Sequence, residues 1–257
     1  MKLHRVIKHN RIYNEDCFKT MHDMKSGSVD LVLTSPPYNM TDRKGGYSDS
    51  GRYDVYRDWK DEDEYLDWSI ELFKLFNKIL KKNKLVLYNF SYSIENPSLP
   101  YKLVYMIEKH TDFMLADTIV WRKGTGVPFP ANKHRLSRNW EYVFVFCRKD
   151  EVDTFDTHRP ITKVSPNGQQ YYKVFYNLIE AKNNDGKNPY NQATFSSEFV
   201  VKLLEIYADS EYVVYDPFMG TGTTAVGVIK FNSTMKYIGS ELSKNQCEYA
   251  KERLRFS

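Results

Sequence analysis

Thr34-Ser35-Pro36-Pro37-Tyr38 places a hydroxyl, a proline carbonyl and an aromatic face within five residues. It follows Val29-Asp30-Leu31-Val32-Leu33, a run short and β-branched enough to read as a buried parallel strand. Neither proline has an N–H for a ladder and both have φ fixed, so the strand must stop here. Ser35 and Tyr38 then project from a stiff corner at a carboxyl end, the edge where open α/β sheets bind ligands. Those three groups are the parts needed to hold a planar base that carries an exocyclic amine. A surface Pro-Pro turn would have the same spelling, so the rest of the chain has to discriminate.

A second constellation lies near the other end. Val213-Val214-Tyr215 reads as a strand leading into Asp216-Pro217-Phe218-Met219-Gly220-Thr221-Gly222-Thr223-Thr224, with a helix expected from about Ala225. The two glycines let backbone approach a ligand closely, and the helix that follows points its first N–H groups at it. Glu241 ends the next expected strand, Lys236–Leu242, where a carboxylate can accept hydrogen bonds from both ribose hydroxyls. The third glycine of the dinucleotide fingerprint is missing, with Thr223 standing in its neighbourhood, and no Gly-Lys-Ser/Thr follows the turn. That leaves an adenosine cofactor without a pyrophosphate, a description that S-adenosylmethionine fits.

The third feature is charge. The chain carries a net +4, yet residues 121–149 alone hold seven cations (Arg122, Lys123, Lys133, Arg135, Arg138, Arg148 and Lys149) against one acid, Glu141. A local basic patch is the footprint expected for a polyanion such as nucleic acid, with a solvated loop face as the alternative. Arg122, Lys123, Lys133, Arg135 and Arg138 are the candidate DNA contacts.

The elements that must position these groups follow from pattern. Residues 10–24 read as a short strand, an acidic turn at Glu15-Asp16 and a short helix, with Asp16 at an N-cap position. Residues 39–58, polar and rich in Gly, Ser and Asp, read as a flexible flap beside the corner. Asp61–Glu64 opens an amphipathic helix whose apolar face is Tyr65, Trp68, Leu72, Phe73, Phe76, Ile79 and Leu80. Leu85–Phe90 is the next strand, and a loop with Pro97 and Pro100 precedes a helix near 101–109. Phe113–Trp121 and Trp140–Cys147 look like antiparallel neighbours flanking a basic loop at 122–138. Residues 150–190 have the weakest core pattern and suit a partner-reading insertion. Ser196–Tyr207 is a helix, and Ser243 to Gln246 gives the last helix a capping box. Such alternation implies an α/β fold, doubly wound, with a mostly parallel sheet and helices on both faces.

At 257 residues and 41% apolar composition, one large domain has ample core. No apolar run approaches the ~18 residues of a transmembrane helix, and the basic amino terminus lacks the apolar stretch of a signal peptide. Cys17, Cys147 and Cys247 form no CxxC pair, which argues against a zinc site or a disulfide framework. An intracellular, reduced protein without a metal or membrane is expected.

Together these motifs resemble the β-class S-adenosylmethionine-dependent DNA amino-methyltransferases, over most of the chain. In that family the tetrapeptide, here Ser35-Pro36-Pro37-Tyr38, comes before the cofactor glycine motif, a circularly permuted order. The resemblance implies a Rossmann-like methyltransferase fold with residues 1–149 as its catalytic half, 150–190 as a short target-recognition segment and 191–257 as its cofactor half. Phe218, Gly220, Gly222 and Thr223, with Asp216 at the head of the motif, match the cofactor loop, Glu241 the ribose-binding acid, and Asp16 the residue against adenine. Asn191–Ser196 resembles the segment near the methionine end and so suggests Thr194 and Phe195, though the usual His-Pro and the Pro after Phe are absent. Trp121-Arg-Lys and Trp140-Glu-Tyr142 resemble the region before the target-recognition segment. S-adenosyl-L-methionine is the implied cofactor and DNA the implied partner, with room for a homodimer and a cognate restriction endonuclease.

The implied reaction is in-line transfer of the sulfonium methyl to an exocyclic amine of a flipped base, which Tyr38 would stack. Hydrogen bonds from the amine to Ser35 Oγ and the Pro36 carbonyl would localise its lone pair, and Pro37 would keep the corner rigid. Serine at the first position is more common in members acting on cytosine N4, so that target is favoured over adenine N6. A non-catalytic nucleic-acid-binding module on a degenerate cofactor fold is the rival from another class. A dinucleotide dehydrogenase is disfavoured by the missing glycine.

Overall fold

The computed structural model describes residues 5–39, 61–92, 96–127, 133–134, 136–186, 188–190 and 194–256. The first half runs β1 (Arg11–Tyr13), α1 (Cys17–Asp23), β2 (Val29–Thr34), α2 (Glu62–Ile79), β3 (Leu80–Phe90), α3 (Leu99–His110), β4 (Phe113–Val127) and β5 (Arg138–Arg148). The second half runs β6 (Ile161–Val164), β7 (Gln170–Tyr172), β8 (Leu178–Ala181), α4 (Ser197–Tyr207), β9 (Val213–Asp216), α5 (Thr223–Phe231), β10 (Lys236–Ser240) and α6 (Lys244–Arg255).

Eight of these strands make one sheet in the order β1-β10-β9-β2-β3-β5-β4-β8, and β6-β7 form a separate ribbon. All neighbours in the large sheet are parallel except β3/β5 and β5/β4. Strand alternation divides the core into two layers. Leu31, Leu33, Leu85, Leu87, Val143 and Val145 face one side, against Phe199, Val200, Leu203, Ala225, Val228 and Ala250 of α4, α5 and α6. Val32, Val86, Tyr88, Phe144 and Phe146 face the other, against Met21, Phe73, Phe76, Leu103 and Ile107 of α1, α2 and α3. The doubly wound α/β expectation is what the chain adopts.

Capping residues set where the helices begin. Asp16 accepts from Phe18 N at 2.8 Å, Asp61 from Glu64 N at 3.0 Å, Ser196 from Phe199 N at 3.2 Å and Ser243 from Gln246 N at 3.1 Å. Each satisfies an otherwise orphaned N–H at the carboxyl edge of the sheet or beside it.

Several boundaries differ from the sequence reading: β3 starts at Leu80 rather than Leu85, so Leu80 leaves the α2 face, and β10 ends at Ser240 with Glu241 just beyond it. β4 continues past Trp121 to Val127, so Arg122 and Lys123 stand on a strand rather than in a loop. α3 starts at Leu99 with Pro100 inside its first turn, where the missing N–H is no loss. α5 starts at Thr223, because Gly222 itself takes the N-cap position. Leu178–Ala181, within the polar 150–190 stretch, pairs parallel with β4 from Val120↔Leu178 to Lys123↔Ala181 and so extends the main sheet. The expected flap lies outside the described residues save Asn39.

Candidate active site

The parallel strands β1, β10, β9, β2 and β3 all end at one edge, and the two central ones, β9 and β2, bring the glycine turn and the Pro-Pro corner side by side. Thr34 Oγ1 donates to Asp216 Oδ1 at 2.7 Å, a direct bond between segments 182 residues apart. Asp216 Oδ1 also accepts from Phe218 N at 2.9 Å, and Oδ2 from Thr224 Oγ1 at 2.5 Å. Full burial outweighs those bonds and pushes the carboxyl up to about 6. Asp216, named from sequence as cofactor-binding, is buried and ties the end of β2 to the glycine turn.

Because β5 is antiparallel to β3, its beginning arrives at the edge where β3 ends: Phe90 faces Tyr142, and Asn89 faces Val143. This delivers Glu141 to the corner. The Tyr38 hydroxyl lies 2.7 Å from Ser35 Oγ, 2.9 Å from Asn89 Oδ1 and 3.0 Å from Glu141 Oε2. Asn89 Nδ2 donates to the Tyr142 carbonyl at 2.8 Å, and Lys123 pairs with the other oxygen of Glu141. The Tyr38 ring meets Phe90 edge-on at 5.1 Å between centroids. Tyr65, fully buried on α2, donates to the Pro37 carbonyl at 2.7 Å. The Pro36 carbonyl has no hydrogen-bond donor among the described residues, so it can accept from a ligand. Asn39 follows with φ +52° and a buried Oδ1 that likewise has no partner among the described residues.

In the glycine turn, Gly220 and Gly222 have φ of +54° and +84°, values that a side chain would strain. A Cβ on Gly222 would also meet Ala250 Cβ at 2.9 Å, so α6 closes against the turn at that point. Glu241 Oε2 accepts from Gly220 N and Oε1 from Ser243 N, both at 2.8 Å, which pins the carboxylate at the rim of the turn. Asn14 Nδ2 donates to the Glu241 and Leu242 carbonyls at 2.9 Å, which brings the Asp16 end of β1 alongside. Phe218 packs on Trp68 at 5.6 Å, and Trp68 packs on Tyr65 at 5.6 Å. Aromatic contact thus runs from the glycine turn to the residue bonded to Pro37. Thr223 points away from this rim: it is buried, and its hydroxyl accepts from Arg253 of α6 at 3.2 Å. Phe195 is buried on Phe199, and Thr194 precedes it, half-buried.

The basic stretch is more divided than its composition suggested. Arg148 lies at the opposite end of β5, clamped to Glu151, Asn77 and the Lys81 and Leu80 carbonyls. Lys149 there donates to the Glu108 and Thr111 carbonyls. Both serve the fold. Lys123 turns into the site toward Glu141, and Arg138 donates to the Tyr92 carbonyl. Arg122 is exposed and paired with Glu180 at 2.8 Å, Lys133 is exposed, and Arg135 lies outside the described residues. Sequence reasoning missed Asn89, Glu141, Tyr65 and Trp68. Only Glu141 carried a signal, as the single acid in a run of cations.

A profile of the N6_N4-type DNA methylase family matches residues 29–252. The chain belongs to this DNA methylase family. Its relatives include an orphan methyltransferase, M.BamHII, of Bacillus amyloliquefaciens, with 27% identity over 89% of both chains. Another is the Type II methyltransferase M2.LlaDCHI of Lactococcus lactis subsp. cremoris, with 26% identity over 95% of this chain and 88% of that one. The methylase fold matches the PvuII DNA methyltransferase (cytosine-N4-specific) with a TM-score of 0.72, at 20% identity over 96% of this chain and 86% of that one. It also matches a Thermus thermophilus putative DNA modification methylase complexed with S-adenosyl-L-methionine, with a TM-score of 0.64 and 21% identity over 96% and 93%. No described helix of the methylase is long and apolar enough to cross a membrane, and no described cluster of His, Cys, Asp and Glu could hold a metal.

Proposed function

We propose that this methylase transfers the methyl group of S-adenosyl-L-methionine to the exocyclic N4 of cytosine in DNA. One observation carries the reading: the Ser35 hydroxyl and the Pro36 carbonyl stand on a rigid corner that Thr34 and Asp216 bolt to the glycine turn. An amine and a methyl donor held at these two places are neighbours.

The residues present suit an adenosine cofactor. Phe218 and Trp68 offer ring faces, the pinned carboxylate of Glu241 suits the ribose hydroxyls, and Asp16 stands at the adjoining end of β1. When bound, the cofactor supplies an electrophilic methyl on a sulfonium. The exocyclic amine is a poor nucleophile because its lone pair is delocalised into the ring. Ser35 Oγ and the Pro36 carbonyl accept its two N–H bonds, which localises the lone pair and aims it. As the N–C bond forms, the S–C bond of the sulfonium would break to leave a neutral thioether, and the alkylated nitrogen would release its extra proton to water, with proximity supplying the rest of the advantage. The base has to leave the duplex to reach this recess, where Tyr38 lies against it.

DNA is met by exposed Arg122 and Lys133 and by Arg135 of the same stretch. The β6-β7 ribbon, in the 150–190 target-recognition segment, is the reading element. Tyr171 and Tyr172 are exposed on it, with Lys163 over the Tyr171 ring and Arg159 over Tyr172. Such aromatic and cationic side chains suit backbone and base-edge contact. The reaction runs inside the cell, where the DNA is, and a cognate endonuclease of the same site fits the Type II naming of the relatives.

Purified protein, S-adenosyl-L-methionine with a labelled methyl and unmodified DNA test the reading. Label enters DNA with the wild type, while Ser35→Ala binds the cofactor with unchanged affinity and transfers at least ~100-fold more slowly. Wild-type turnover by Ser35→Ala removes Ser35 from the chemistry.

A further inference from the structure

Tyr38 carries one hydroxyl hydrogen, and among the described residues Ser35 Oγ, Asn89 Oδ1 and Glu141 Oε2 lie within hydrogen-bond distance of its oxygen. Two of the three can only accept. The Asn89 amide is oriented by its bond from Nδ2 to the Tyr142 carbonyl, which turns Oδ1 toward Tyr38. Glu141 presents a carboxylate oxygen, its other oxygen being paired with Lys123. The phenolic hydrogen therefore goes to the Asn89–Glu141 side, and the Ser35–Tyr38 contact is made with the Ser35 hydrogen.

We infer that Glu141 and Asn89 are positioning residues for methyl transfer: they fix the polarity of the Tyr38 hydroxyl so that Ser35 donates to Tyr38 and presents lone pairs to the amine. A serine hydroxyl rotates freely and can be donor or acceptor, whereas an amine nucleophile needs an acceptor here. Were Ser35 to donate toward the substrate nitrogen, it would occupy the lone pair that attacks the methyl. The network removes that orientation before the base arrives. Lys123 completes it by holding the Glu141 carboxylate on Tyr38 through a paired, half-buried charge. Lys123 thus belongs to this network rather than to the DNA-facing cations. The topology explains why the acceptors come from two strands: β3 ends and antiparallel β5 begins at the same edge.

The inference rests on the proposed assignment of Ser35 as the group that meets the amine, and the experiment separates the two. Single-turnover methyl transfer and calorimetric cofactor binding are measured on the full chain for wild type, Glu141→Asp, Tyr38→Phe and the double variant. Glu141→Asp keeps a charge for Lys123 and withdraws the carboxylate from Tyr38 by a methylene. Its rate of transfer falls about tenfold, the equivalent of one net hydrogen bond, while cofactor affinity and KM for DNA hold. In the Tyr38→Phe background the same substitution costs nothing further, because the hydroxyl through which it acts is gone. A wild-type rate in Glu141→Asp, or an equal fold-loss in both backgrounds, overturns the inference. If Glu141→Asp fails to bind cofactor, Glu141→Gln in the same two backgrounds gives the same comparison. A wild type that methylates no DNA instead sinks the underlying reading.

Discussion

Asp216→Asn tests the bond that joins the two halves of the site, and its effect should depend on pH. The wild-type carboxyl is fully buried and lifted from 3.8 to about 6, chiefly by loss of water and against the bonds from Thr224, Thr34 and Phe218 N. A rise of roughly two pK units corresponds to about 3 kcal/mol of preference for the protonated form in the folded state. The folded pKa lies above the unfolded one, so this contribution is whole below about pH 4 and is lost as pH rises through about 6. Integrating the linkage between pH 5 and pH 7.5 gives a loss of about 1.4 kcal/mol from the wild type. Asn is isosteric with the protonated acid: its carbonyl accepts from Thr34 and Phe218 N, and its amide donates to Thr224. It does not titrate. Urea unfolding of both proteins at pH 5 and 7.5 should show the variant gaining about 1.4 kcal/mol on the wild type across that interval. Other titrating groups cancel in the difference. A stability difference constant to within ~0.3 kcal/mol over that range would rule out a buried carboxyl that titrates near 6.

Gly222→Ala combines a φ of +84° with a Cβ 2.9 Å from that of Ala250, so it should cost about 1–3 kcal/mol and weaken cofactor binding. Thermal melts with and without S-adenosyl-L-methionine check both effects. Charge removal at Lys133 and Arg135 should weaken DNA binding and reduce the slope of log K against log salt by about 0.9 for each phosphate that is no longer neutralised. An unchanged slope would take the loop out of the interface. Ser35→Ala should leave the calorimetric cofactor affinity intact while transfer collapses.

The sheet was legible where residue type and period agreed. Val29–Leu33, Val213–Tyr215 and Lys236–Leu242 are short, β-rich and bounded by turn residues, and each forms a strand of the central sheet, the last ending at Ser240. The corner and the glycine turn were legible because proline and glycine restrict or release backbone in ways that few other sequences do. β8 was not, since Leu178–Ala181 buries alternate residues within a stretch whose other side chains are mostly exposed. The end of β4 was missed because Arg122, Lys123 and two glycines read as loop, and only pairing with β5 and β8 holds them extended. Charge counts failed for a related reason. Arg148 and Lys123 contribute equally to a local sum, yet one clamps α2 to β3 and the other faces a carboxylate in the site. The site's support was hidden for the same cause: Asn89 and Glu141 lie 52 residues apart, and only the antiparallel β3/β5 pairing brings both to Tyr38.

The methylated atom can be identified directly. DNA lacking modified bases, treated with the purified protein and S-adenosyl-L-methionine, is digested to nucleosides and resolved by mass spectrometry. N4-methylcytidine in its deoxy form is the expected product, absent from the Ser35→Ala reaction. N6-methyldeoxyadenosine as the sole product would contradict the assignment of the target base, and unmodified nucleosides alone would contradict the site.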